Sequence, residues 1–212
     1  MSNIPLILFA KAPIAGQVKT RLSTHCTDQQ CADIAEILLE ITVQKAIKYW
    51  PGRVVLSVFL DPNHFFLNSL RERYELELSL QVEGDLGFKM ASALDQHGYP
   101  AAVMGCDVPQ ISAELLQQAH RILEKGGEVI GPADDGGFYL LGAKQSNQEL
   151  LSKQKWGEHS VYLDTMMLAA KQQRELIPMD RLRDIDNWQD LVAVSNQISE
   201  LNSYLKGQDL LV

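Results

Sequence analysis

Asp107 closes a short run of small and apolar residues, Ala101-Ala102-Val103-Met104-Gly105-Cys106, and Pro109 follows two positions later. Proline has no N–H to offer a β-ladder, so a strand that reaches this point stops there. Asp107 is thereby presented at the carboxyl end of a strand, the side of an open α/β sheet on which ligands bind. A carboxylate in that place commonly caps the next helix, but Ser112 is better placed as the N-cap, which leaves Asp107 free for chemistry.

Three cations gather in the segment Lys11-Ala12-Pro13-Ile14-Ala15-Gly16-Gln17-Val18-Lys19-Thr20-Arg21-Leu22 of a chain that is otherwise acidic. Their types suit a phosphate clamp around Lys11, Gly16, Lys19, Thr20 and Arg21. Gly16 lets backbone come close, Lys11 and Lys19 act as point charges, and Arg21 offers a planar fork to phosphate oxygens. The segment is neither a GxxxxGK[ST] loop nor a GxGxxG loop, and a plain solvated loop is the alternative.

Asp134-Asp135-Gly136-Gly137 reads first as a turn, with glycine supplying positive φ. Beside a phosphate loop the same residues could bind substrate, the glycines through close backbone donors and the acids by holding a hydroxyl or a metal-bound water. Asp184 and Asp186 share one side of the chain if their segment is extended, and Asn187 is a good N-cap for the helix after them. The alternative is a pair of surface acids ahead of a capped helix.

The elements that must position these residues alternate regularly. Ile4–Ala10 predicts a central strand and Val54–Phe59 a second. Leu76–Val82, with Leu76, Leu78, Leu80 and Val82 on one face, predicts a strand near an edge. Glu128–Pro132 and Glu175–Met179 predict short strands, and the residues flanking Asp134–Gly137 a hairpin-like excursion. Helices are expected after a Thr27/Gln30 capping box as far as Tyr49, carrying Ile34, Leu38, Ile41 and Ile47, and from Asp61-Pro62, with Phe65, Phe66 and Leu70 inward. Others follow over Leu86–Gly98, from Ser112, from Ser160 with Leu163, Met166, Met167 and Ala170 buried, and from Asn187 with Leu191, Val194, Ile198, Leu201 and Leu205. The expected fold class is α/β: one domain over residues 1–212, with a mostly parallel mixed sheet between helices.

A net charge of −8 and a pI near 5.1 disfavour nucleic acid or an anionic membrane surface as partner. No apolar run approaches the roughly 18 residues of a membrane span, so no membrane insertion is expected. Cys26, Cys31 and Cys106 have no metal-type spacing and suggest reduced, buried thiols in a cytoplasmic protein.

Taken together, KAPxxGxVKTRL, GxDxP, GPAxDGGFYLLG, WG and DxDxxxDL resemble the rSAM/selenodomain-associated transferase 1 family, in that order and over most of the chain. The resemblance implies a GT-A, or nucleotide-diphospho-sugar transferase, fold. It implies that Asp107 holds a divalent metal, Mg²⁺ or Mn²⁺, on nucleotide phosphates, with a second ligand from Asp186 or, less favoured, Asp184. Relative to the family pattern, Ala15 replaces a proline, Phe88-Lys89 an acidic-Arg pair and Asn187 a threonine.

Three kinds of protein fit these residues. The first is a metal-dependent glycosyltransferase-like enzyme that moves a sugar from a nucleotide sugar to a small acceptor, with Asp107 and Asp135 as catalytic groups. The second is a nucleotidyltransferase that uses a nucleoside triphosphate and releases pyrophosphate. The third is a nucleotide-binding protein without catalysis, which the replaced Phe88-Lys89 pair favours. The acceptor and the oligomeric state stay open.

Overall fold

The computed structural model describes residues 3–211, so residues 1, 2 and 212 of the expected domain lie outside the described residues. Seven strands make one sheet: β1 (Leu6–Lys11), β2 (Val54–Phe59), β3 (Glu77–Leu80), β4 (Ala101–Gly105), β5 (Glu128–Pro132), β6 (Phe138–Ala143) and β7 (Leu176–Pro178), in the spatial order β3-β2-β1-β4-β6-β5-β7. Only β6 runs against its neighbours, antiparallel to both β4 and β5. The sheet is therefore mixed and mostly parallel, as the alternation of elements predicts.

β1 lies inside the sheet, third in the order and next to the middle strand β4. It pairs in parallel with β2 on one side and β4 on the other, Phe9 lying opposite Gly105. The chain leaves β1 outward to β2 and β3, then returns to β4 on the opposite side. Loops that leave β1 and β4 in opposite senses open a crevice at their carboxyl ends, the topological switch point where doubly wound sheets bind ligands. The cationic loop follows β1 and Asp107 follows β4.

The helices are α1 (Asp28–Tyr49), α2 (Phe65–Tyr74), α3 (Leu86–His97), α4 (Ala113–Glu124), α5 (Gln148–Leu151), α6 (Val161–Lys171), α7 (Trp188–Ser195) and α8 (Ser199–Gly207). Both arms of the Thr27/Gln30 capping box form, and Ser112 caps α4 by accepting from the Leu115 N–H at 3.2 Å. The pleat of β1 sends Leu6, Leu8 and Ala10 into a core with Leu39 of α1, Leu67 of α2 and Leu116 of α4. Ile7 enters the opposite core, with Leu94 of α3, Leu150 of α5 and Ala169 of α6. A third cluster joins Ile34, Leu38 and Ile41 of α1 to Leu191 of α7 and to Leu201 and Leu205 of α8.

Several helix and strand faces differ from the expectation. α2 starts at Phe65 and not at Pro62, because Asp61 spends its carboxylate on a turn, accepting from the Asn63 N–H at 2.9 Å. Phe65 then sits in the first turn and is 84 % exposed, while Phe66, Leu67 and Leu70 go inward. β3 does form an edge, but Leu80 and Val82 are exposed and Leu76 alone of its expected face is deeply buried. On α6 the inward residues are Val161, Thr165 and Ala169, and Leu163, Met167 and Ala170 face outward. The Thr165 hydroxyl is satisfied by donating to the Val161 carbonyl at 2.7 Å. Ile47 of α1 is also exposed. The expected last helix is two, α7 and α8, and all five of its apolar positions are buried, Ile198 at the junction between the two.

Candidate functional site

Lys19 precedes a single turn of 3-10 helix, Thr20–Leu22, and adopts φ 48, a left-handed conformation unusual for a residue with a side chain. That backbone costs about 1–2 kcal/mol. The contacts that offset it belong to the side chain: only 8 % exposed, it places Nζ at 2.6 Å from Asp107 Oδ1 and at 2.6 Å from the Ile185 carbonyl. Arg21, largely exposed, pairs with Asp186. Lys11 donates to the Gln17 carbonyl at 2.6 Å and ties the loop to itself, and Gly16 turns it with φ +76.

The acids arrive on two further segments. The Ile185 N–H donates to the Asp107 carbonyl at 2.9 Å, which lays the chain before α7 along the end of β4. Asn187 caps α7, and Asp190 closes the capping box by accepting from the N–H groups of Asn187 at 3.2 Å and Asp186 at 3.4 Å, so the backbone that carries Asp186 is fixed. Asp135 stands at the tip of the β5–β6 hairpin. There Asp135 Oδ1 accepts from the Gly137 N–H at 2.7 Å, and the Gly136 carbonyl accepts from the Tyr162 N–H at 2.8 Å. Beyond β7 the chain keeps pairing with the end of β5, Leu182 N–H to the Pro132 carbonyl and Asp134 N–H to the Leu182 carbonyl, and so delivers Asp184 to Asp135.

Carboxylate oxygens of Asp135, Asp184 and Asp186 lie within 4.8 Å of one another. Burial, and after it the charge of Asp135 with smaller contributions from Asp186 and Asp190, pushes the Asp184 carboxyl up to about 6. Like charges this close are relieved by protonation or by a cation. An all-carboxylate donor set is hard, and it fits Mg²⁺ or Mn²⁺ better than a soft metal.

Lys11, Lys19, Thr20, Arg21, Asp107 and Asp186 all line one cleft of about 450 Å³ at the switch point, with Phe9, Val18 and Leu86 as apolar wall. The structure brings these predicted residues together. Asp134, Asp135, Gly136 and Gly137 lie on the hairpin tip beside the cleft, Asp135 joined to it through Asp184 and Asp186, and Asp134 paired with Arg183 at 3.2 Å. The Ile185 carbonyl and the apolar wall were not legible in residue types. The i, i+2 spacing names both Asp184 and Asp186, and both reach the acidic cluster. The departures at Phe88-Lys89 sit to one side: Phe88 is exposed and the Lys89 ammonium rests 3.2 Å from the centre of the Phe59 ring. The three cysteines are free and buried, burial pushing the Cys26 thiol up to about 11, which makes it a poor nucleophile. Among the described residues no helix is long and apolar enough to cross a membrane.

Solved structures with this fold include those of a nucleotide-diphospho-sugar transferase by name and of cytidylyltransferases. A protein of Desulfovibrio desulfuricans G20, assigned by name to the nucleotide-diphospho-sugar transferases, superposes with a TM-score of 0.85 at 24 % identity, covering 99 % of this chain and 96 % of that one. CTP:phosphocholine cytidylyltransferase of Streptococcus pneumoniae gives 0.56 at 12 % identity over 93 % and 100 % of the two chains. The Rv0371C protein of Mycobacterium tuberculosis H37Rv, in complex with manganese, gives 0.51 at 15 % identity over 93 % and 100 %. No curated protein matches the sequence. Residues 42–158, more than half of the chain, match the family described as uncharacterized protein conserved in bacteria (DUF2064), and the protein belongs to that family.

Proposed function

We propose that this protein is a metal-dependent transferase that moves a sugar from a nucleotide sugar to a small, hydroxyl-bearing acceptor. The observation that carries the reading is the opposition within one site of a cationic loop, Lys19 and Arg21, and a carboxylate wall formed by Asp107, Asp135, Asp184 and Asp186. The loop suits a diphosphate. A hard dication, held by Asp186 with Asp107 or with Asp135 and Asp184, would neutralise charge on the departing nucleoside diphosphate. Lys19 and Arg21 bind the phosphate charge that remains. Asp135, rigidly held at the hairpin tip, accepts a hydrogen bond from an acceptor hydroxyl and orients it, whereas an acceptor bearing its own phosphate would meet like charge there.

A second reading is nucleotidyl transfer from a nucleoside triphosphate, and two cations on one short loop favour it, because departing pyrophosphate carries more charge than a diphosphate ester. Product analysis separates the two. The full chain, incubated with Mn²⁺ and panels of nucleotide sugars and triphosphates previously selected by thermal shift, is expected to release a nucleoside diphosphate. Release of pyrophosphate, with the nucleotide joined to the acceptor, replaces the first reading by the second.

A further inference from the structure

Of the three cations that line the cleft, Lys19 and Arg21 are already paired with its carboxylates when a phosphate arrives. Lys19 is held between Asp107 and the Ile185 carbonyl, and Arg21 is held on Asp186. Each cation thus occupies a carboxylate that the proposed function assigns to the metal. We propose that these two ion pairs form a partner-exchange latch. In the free protein Lys19 and Arg21 serve as internal counter-ions of Asp107 and Asp186, and metal and diphosphate enter together as the cations pass to phosphate oxygens and the carboxylates pass to the metal. The inference rests on the transferase reading and adds the order in which its site can be filled.

The charges dictate the coupling. A dication arriving alone must compete with ammonium and guanidinium groups already on its ligands. A diphosphate arriving alone must take those cations from their carboxylates, leaving bare acids to repel it. When both arrive, every charge keeps an opposite partner throughout. The backbone need not move for the exchange, because contacts outside the two ion pairs already hold the segment that carries the acids to the chain just after the cationic loop and to the end of β4. His25 stacks on Trp188 with ring centres 4.6 Å apart and planes 2° from parallel, and the Ile185 N–H bonds the Asp107 carbonyl. Only side-chain partners change. Lys11 lines the same cleft but bonds a carbonyl, so it lies outside the latch.

The test measures Mn²⁺ binding to the full chain from the electron paramagnetic resonance of the free ion, and binding of inorganic pyrophosphate by calorimetry with and without Mn²⁺. The proteins are wild type, Lys19→Met, Arg21→Met and Lys11→Met. Removing either latch cation is expected to tighten Mn²⁺ alone roughly tenfold while weakening pyrophosphate in the presence of Mn²⁺, on the scale of roughly 5–150-fold that couplings between sites span. Lys11→Met should leave Mn²⁺ alone within about twofold, since a charge not paired to a ligand acts only through screened solvent. Arg21 is largely exposed, so its variant keeps the test valid if Lys19→Met fails to fold. Unchanged or weaker Mn²⁺ binding in both latch variants, with Mn²⁺ and pyrophosphate still binding the wild type, overturns the latch and leaves the transferase reading standing. Failure of the wild type to bind either probe, alone or together, overturns both.

Discussion

Replacing Arg174 by methionine should cost about 3–5 kcal/mol, the scale for stripping one partner from a buried ion pair. The guanidinium grips Glu128 at two points, Nε to Oε2 at 3.0 Å and Nη2 to Oε1 at 2.5 Å, with side chains only 5 % and 1 % exposed. Nη2 also donates to Asn147 Oδ1 at 2.8 Å, so the cluster ties β5 to the turn after α6 and to the approach to α5. In the variant, Glu128 would keep one donor, the Lys144 N–H at 3.2 Å, and its carboxylate would have to stay charged in the dry interior or take up a proton. At about 2–4 °C per kcal/mol for a chain of this size, the midpoint of thermal unfolding falls by roughly 6–20 °C. Urea denaturation followed by far-ultraviolet circular dichroism, run as a double-mutant cycle with Glu128→Met, gives the free energies. The double variant should lie closer to wild type than Arg174→Met does, because two methionines of similar volume leave no unpaired charge. A single variant within about 1 kcal/mol of wild type, or a double variant whose loss equals the sum of the singles, would refute the reasoning.

Two further outcomes are expected. Gly136→Ala places a Cβ on the backbone of His159 at a φ of +91, whereas Gly157→Ala, at φ +92, meets nothing within 4 Å. Both should lose roughly 1–3 kcal/mol to backbone strain, but only the first should displace Asp135 and weaken Mn²⁺ binding by roughly tenfold or more; equal Mn²⁺ affinities in the two variants would remove the hairpin tip from the site. His120, 3 % exposed and edge-on to Trp50, has its Nε2 buried without a partner, and burial lowers its pKa below 6.5. A base whose folded pKa lies below its unfolded one binds more protons when unfolded, so the stability it contributes is complete above pH 6.5 and is lost as the pH falls below that value. His120→Phe should flatten this part of the acid limb of a stability–pH curve, leaving the part due to His97, which burial and Arg53 also hold low; an unaltered acid limb would count against it.

Sheet and cleft were legible because both rest on local signals. Apolar runs that stop at Asp107 and before Lys11 mark strand ends, and strand ends on the carboxyl side of a parallel sheet converge whatever the intervening helices do. The hairpin was legible from two glycines between apolar strands. Faces of peripheral helices were not. Leu163, Met167 and Ala170 make as regular a stripe as Val161, Thr165 and Ala169, and helical periodicity alone does not decide which turns inward. Phe65 turns outward, against expectation, because Asp61 has two local options, helix cap or turn, and takes the turn. In the site, the i, i+2 pair Asp184 and Asp186 showed in the spacing, but their meeting with Asp135 depends on pairing between segments almost fifty positions apart, which no local pattern encodes.

Lys19 reaches across 88 positions to Asp107 and across 166 to Ile185. Such contacts close large loops of the chain and carry the entropy cost of doing so. During synthesis the cations of the first loop emerge early and the acids that hold them emerge late. A chain stopped after residue 183 would possess all seven strands and still lack Asp184, Asp186 and the Ile185 carbonyl. It would also lack α7 and α8, leaving Ile34, Leu38 and Ile41 of α1 uncovered. The final segment thus completes the site and shields an apolar flank in the same event, and an unfinished chain shows the sticky surface that chaperones recognise.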